Sequence, residues 1–196
     1  MKRIFSILSI LLFVLVACDN ADPKKKEGAE KADSAAIIAE QKKAAAAANE
    51  KMLAELEKMT PLPEEELKKL LPEMLMDAAT SNSSVNSTLG ASVATAEYQI
   101  NDSTKITLSI HDCAGPGGAG LYNLQYAGLL DYNADNPTEY TKVIDFNGSK
   151  AIEHCKKQSI ECSFTYFSGE RYLMQLDGNN VNADKLKRIA GGLKIK

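Results

Sequence analysis

The chain has no tryptophan, only two histidines, and few aromatics, seven tyrosines and five phenylalanines in 196 residues. A carbohydrate platform built on indole rings is therefore excluded. Cations do not exceed anions: 23 Lys and Arg stand against 26 Asp and Glu, a net charge of −3. No basic stripe interleaved with aromatics occurs, which speaks against nucleic acid as a partner. No apolar run reaches the roughly 20 residues that a spanning helix needs. The four cysteines form no C-x-x-C pair and the histidines no H-x-x-x-H, so a zinc-ligand spacing is missing. There is also no G-x-S-x-G and no paired-carboxylate motif. From these absences no catalytic residue, metal ligand or cofactor site is assigned.

What is present is concentrated at the N-terminus. Lys2 and Arg3 precede an apolar stretch, Ile4 to Ala17, too short to span and of the length of a signal peptide's apolar region. Its last four residues, Leu15-Val16-Ala17-Cys18, resemble the lipobox of bacterial lipoproteins. The resemblance implies cleavage before Cys18, acylation of its thiol and of the new amino terminus, and anchoring in a lipid bilayer. Two or more acyl chains anchor stably, at about 0.8 kcal/mol per buried methylene, where one chain binds only marginally. Asp19 and Asn20 resemble an inner-membrane retention signal of enteric bacteria. The resemblance places the domain outside the cytoplasm, in the cell envelope, and leaves inner and outer membrane open. With Lys2 and Arg3 removed, the mature chain is two charges more acidic.

Behind the leader (residues 1–17), residues 18–32 read as the lipidated cysteine and a flexible linker, since Pro23-Lys24-Lys25-Lys26-Glu27-Gly28 is charged and aperiodic. Residues 33–59 are rich in Ala, Glu and Lys and predict a helical stalk of roughly 40 Å. Ile38, Ala45, Met52 and Met59 follow a heptad. The companion positions Gln41, Ala48 and Glu55 do not, which favours a solvated stalk over a coiled coil. Residues 60–196 form the folded domain. It opens with a short helix after Pro63 that Pro72 stops or resets, and Thr80 to Ser87 read as a loop.

From Val93 the apolar period is two. Strands are expected at about Val93–Ile100 and Lys105–His111, and a buried helix over Gly120–Tyr132 with Leu121, Leu124, Ala127 and Leu130 inward. Asn147-Gly148 is a type I′ hairpin signal; as a two-residue loop it pairs Lys142 with Glu153, Asp145 with Lys150 and Val143 with Ile152. Ser168-Gly169 suggests a second hairpin, with Phe164 opposite Leu173 and Tyr166 opposite Arg171. Asn182 caps a last helix with Leu186, Ile189 and Ala190 inward. The expected fold is α+β: a mainly antiparallel sheet of about six strands with helices on one face, preceded by the long helix. The domain resembles uncharacterised bacterial envelope lipoproteins in its Leu70-Leu71-Pro72 opening and its closing sheet and helix.

Three constellations carry candidate chemistry. Gly115 to Gly120 matches G-x-G-x-x-G, but the alternating strand before it and the hairpins after it oppose a dinucleotide fold, so a flexible strand-to-helix connection is favoured. Cys155 and Cys162 face each other if Gln158-Ser159 is a two-residue turn, which makes them a candidate disulfide; separate buried thiols are the alternative. His111, Cys113, His154 and Cys155 supply ligand types for a metal or an enzyme site. The favoured expectation is a non-catalytic binding or interaction domain with an envelope protein as partner. The alternative is an envelope enzyme or metal-binding protein using those His and Cys residues.

Overall fold

A computed structural model describes residues 23–195, with side chains from Ile37 onward. The leader and Cys18 lie outside the described residues. The chain divides into two compact units, one ending at Ala44 and one beginning at Ala45. Helix α1 runs Pro23–Leu56. It therefore starts inside the expected linker, because Pro is accepted in a first turn and the Lys, Glu and Ala that follow are good helix formers. Ile37 and Ile38 are exposed.

The second unit is built on one sheet of nine strands in the order β1-β2-β3-β4-β9-β8-β7-β6-β5. Every neighbouring pair is antiparallel. The strands are β1 Met74–Leu75, β2 Ala78–Thr88, β3 Ala91–Asn101, β4 Thr104–Asp112, β5 Ala134–Asp135, β6 Glu139–Phe146, β7 Ser149–Lys156, β8 Glu161–Ser168 and β9 Tyr172–Asn179. The expectation of six strands is corrected to nine. The run read as a loop, Thr80 to Ser87, lies in β2, an eleven-residue strand whose polar side chains hide the period. The two-residue β1 and β5 are too short to leave a pattern.

Helices α2 Glu64–Lys68 and α4 Ala183–Gly192 pack on one face of this sheet. The end of α1, helix α3 Gly115–Gln125 and a 3-10 turn at Ala127–Leu129 pack on the other. Helices thus cover both faces, where one was expected. The switch is visible in β9: Leu173 joins the α3 side and Met174 the α4 side, as alternation in a strand demands. On the face under α4, a Cβ on Gly178 would come within 2.7 Å of Val181 Cβ, just before the helix, and 3.2 Å of Leu186 Cδ2 within it. Close helix–sheet approach therefore requires glycine there. Leu186 is fully buried, a contribution of about 1.5–3 kcal/mol for such a side chain.

Three hairpins close through two residues that both have positive φ: Met76-Asp77, Leu89-Gly90 and Asn147-Gly148. The last gives the expected register, including Lys142 opposite Glu153 and Asp145 opposite Lys150. The β8–β9 register differs from expectation. Phe164 faces Leu176 and Tyr166 faces Met174, because the connection is Gly169-Glu170-Arg171 and not a two-residue turn. The helix expected over Gly120–Tyr132 begins five residues earlier, at Gly115; of the residues expected inward, Ala127 is buried and Leu121 and Leu130 pack against the core. Tyr122 and Tyr126 are buried and Leu124 is exposed.

Candidate functional site

On the α4 face lies an apolar groove of about 700 Å³, within the size range of small-molecule sites. Its floor is Leu108 and Ile110 of β4 and Met174 of β9. One wall is the segment Leu70 to Pro72 with the β1–β2 turn, and the other is Ile189, Gly192, Leu193 and Ile195. Each wall is pinned by a tyrosine from the sheet. Tyr98 Oη donates to the Pro72 carbonyl at 2.6 Å, and Tyr166 Oη donates to the Ala190 carbonyl at 3.4 Å. Burial pushes the Tyr166 phenol up to about 12, so it stays a donor across the physiological range. Asn182 starts the α4 wall: its Oδ1 accepts from the Lys185 backbone N–H at 2.9 Å, an N-cap of the expected kind.

The groove's polar side chains are all cationic: Lys69, Lys185, Arg188 and Lys194. No carboxylate lines it, in a chain whose net charge is −3. Lys69 is paired with Glu66 at 2.6 Å. Among the described residues, the other three side chains have no anionic partner within ion-pair distance. Met74 and Met76 are exposed at the rim, and Met76 and Asp77 hold φ of 51° and 64°. Left-handed backbone at a non-glycine residue is strained, and flexible thioethers beside it supply adaptable apolar contact.

A second, polar depression on the opposite face includes Lys105, His154, Lys156, Glu161 and Asp177. Both of its lysines are paired: Lys156 meets Glu161 at 2.5 Å, and Lys105 meets Glu97 of β3 at 3.1 Å. Gln175 Nε2 donates to both carboxylate oxygens of Asp177, while burial raises that carboxyl's pKa.

The residues singled out by sequence fall apart spatially. Cys155 and Cys162 are directly opposed in the β7–β8 ladder, with Cα atoms 4.1 Å apart, and are joined in a disulfide on the α4 face. A disulfide sulfur is not a thiolate ligand, so Cys155 leaves the metal set. His154, one residue before it, points to the other face; its Nδ1 is 3.0 Å from Thr141 Oγ1. His111 lies in a different row, opposite Leu173. Burial lowers its pKa, and its Nδ1 is buried without a hydrogen-bond partner. Cys113 is fully buried, and burial pushes its thiol up to about 12, which makes it inert as nucleophile and as ligand. Among the described residues no three His, Cys, Asp or Glu side chains gather as a metal site would require.

The glycine-rich stretch is not a flexible connection. Gly115 to Gly120 are the first turns of α3. A Cβ on Gly117 would lie 2.4 Å from the Leu89 carbonyl oxygen, and one on Gly118 would lie 2.4 Å from the Cys113 carbonyl carbon. Pro61 sits over Gly115, where a Cβ would be 3.0 Å from its Cγ. These glycines serve contact between backbones, and the helix start that a phosphate would need is covered by protein.

Sequence reasoning missed the groove because its lining comes from four separated segments. The readable trace is Lys185, Arg188 and Ile189 on one short helix, together with the Leu-Leu-Pro segment. No family model matches the chain, and no curated protein or solved structure matches it significantly. Among the described residues no helix is long and apolar enough to cross a membrane.

Proposed function

We propose that this chain is a lipid-anchored protein of the bacterial cell envelope whose folded domain is a non-catalytic binding module, with the α4 groove as its binding surface. The anchor rests on Leu15-Val16-Ala17-Cys18 and on the length and order of the leader. The observation that carries the binding reading is the groove itself: a large apolar trough with converging, largely unpartnered cations. Concave apolar surface with a few placed polar groups is the usual form of a ligand site. The His and Cys residues of the enzyme or metal alternative contribute nothing to this trough.

Two measurements test the two halves. Mass spectrometry of the chain extracted from its own membranes is expected to find acylated Cys18 at the N-terminus, and Cys18→Ser is expected to release the protein from the membrane fraction. A Cys18→Ser chain that stayed wholly with membranes sinks the anchor. For the domain, a photo-cross-linking residue at Met76 or Leu193 is expected to give discrete adducts in intact envelopes, and the same residue at exposed Leu124 on the opposite face is not. Equal labelling at all three positions, or none, removes the groove from the proposal.

A further inference from the structure

The groove's chemistry selects among ligands. Its floor and walls are Leu, Ile, Met and Pro side chains, and no Ser, Thr, Asn, Gln, Asp or Glu side chain lines it. A peptide laid there would bury backbone N–H and C=O groups against hydrocarbon with few partners, which is unfavourable. An acyl chain has no such groups. Yet a purely apolar ligand leaves three cations unexplained, since Lys185, Arg188 and Lys194 stand at this one trough of an acidic chain without the anionic partner that Lys69 has in Glu66. Arg188 and Lys185, three residues apart, share a side of α4, and Lys194 follows from the tail that lines the same wall. Long cationic side chains lay their methylenes on apolar surface and hold their charge at its edge.

Resting on the binding-module reading above, we infer that the groove holds one acyl chain of an anionic amphiphile, with its charged headgroup met by Lys185, Arg188 and Lys194. The cavity of about 700 Å³ takes a ligand of that class. Met74 and Met76 on the short β1–β2 lip adapt to chains of differing length. The charge at the rim sets headgroup preference, and the trough sets affinity through chain length, by at most about fourfold per methylene.

The test uses the full mature chain with Cys18→Ser, so that its own anchor does not compete, and calorimetric titration below the micelle-forming concentration. Three probes are compared: lysophosphatidylglycerols of increasing chain length, lysophosphatidylcholine of matched length, and glycerol phosphate without a chain. The expected result is one lysophosphatidylglycerol per chain, tightening with length, at least about tenfold tighter than the choline lipid, and no binding of glycerol phosphate. Arg188→Glu with Lys185→Glu, at the groove's rim on α4, should erase the headgroup preference, weakening the lysophosphatidylglycerols far more than the choline lipid. Ile195→Asp, three positions beyond the helix end, should weaken both lipids alike. Circular dichroism of each variant checks the fold. Equal affinity for both headgroups, no dependence on chain length, binding of glycerol phosphate alone, or indifference to the charge reversal each overturns the assignment. If no lipid binds but Met76 and Leu193 still cross-link discretely in envelopes, the lipid assignment fails and the binding module stands. If both are negative, both fall.

Discussion

Arg171 grips Asp112 with two parallel bonds: Nε donates to Oδ1 and Nη2 donates to Oδ2, each at 2.9 Å. The Asp112 side chain is wholly buried, and its remaining acceptor capacity is filled by the backbone N–H groups of Leu62 at 2.7 Å and Ala114 at 3.2 Å. Arg171 also donates to the Thr60 carbonyl at 2.9 Å. One carboxylate thus ties the entry to α2, the start of α3 and the β8–β9 turn together. Asp112→Ala should cost about 2–4 kcal/mol in urea unfolding, because a partly buried guanidinium and the backbone N–H groups of Leu62 and Ala114 all lose their acceptor. A double-mutant cycle with Arg171→Ala should show strong coupling. Additive losses would mean that the pair does not act as a unit.

The glycines of α3 predict opposite outcomes within one helix. Gly117→Ala and Gly118→Ala push a methyl into backbone and should destabilise by about 1–3 kcal/mol. Gly120 is exposed, and a Cβ there meets nothing within 4 Å. Gly120→Ala should therefore stabilise by about 0.5–1 kcal/mol through helix propensity. Thermal melts of the three variants check both signs.

The Cys155–Cys162 bridge closes a small loop, with a sequence separation of 7. Chain entropy then gives about 2.5 kcal/mol of stabilisation, which reduction or Cys155→Ala with Cys162→Ala should remove. Thiol counting on the denatured, unreduced Cys18→Ser chain is expected to find one free thiol, that of Cys113. Three free thiols would contradict the bridge.

His111 makes stability fall in acid. Burial lowers its folded pKa below the ordinary 6.5. The unfolded chain therefore takes up a proton first as pH falls below 6.5, and stability is lost from there down through the folded pKa. Above 6.5 the group has no effect. His111→Leu also removes a buried nitrogen without a partner. Its urea midpoint should match or exceed that of the parent at neutral pH and exceed it increasingly below 6.5. A constant difference across that range would refute the assignment.

Legibility in the sequence follows how local each cause is. The β6–β7 register was readable because Asn147-Gly148 fixes a two-residue loop and three cross-strand pairs agree with it. The Asn182 cap and the inward Leu186 and Ala190 were readable for the same reason. Strand β2 was not: Val85 is its only large apolar residue, and its Ser and Asn side chains suit a weakly patterned strand near the sheet edge as well as a loop. The β8–β9 register failed through one turn residue, since Arg171 is drawn into the connection by Asp112, fifty-nine positions away. The groove is the extreme case, assembled from segments whose proximity only the completed sheet creates.

Lys105 pairs with Asn179 and Asp112 with Tyr172, so the strand nearest the C-terminus is the one that joins the two meanders. A chain delivered from its N-terminal end completes β1 to β4 while the outer edge of β4, carrying Ile106, Leu108 and Ile110, still lacks its neighbour. Closing that seam spans about half of the domain and is entropically slow. An open, apolar-bearing strand edge invites pairing with another chain. Until β9 arrives, that edge of β4 stays open to misassembly.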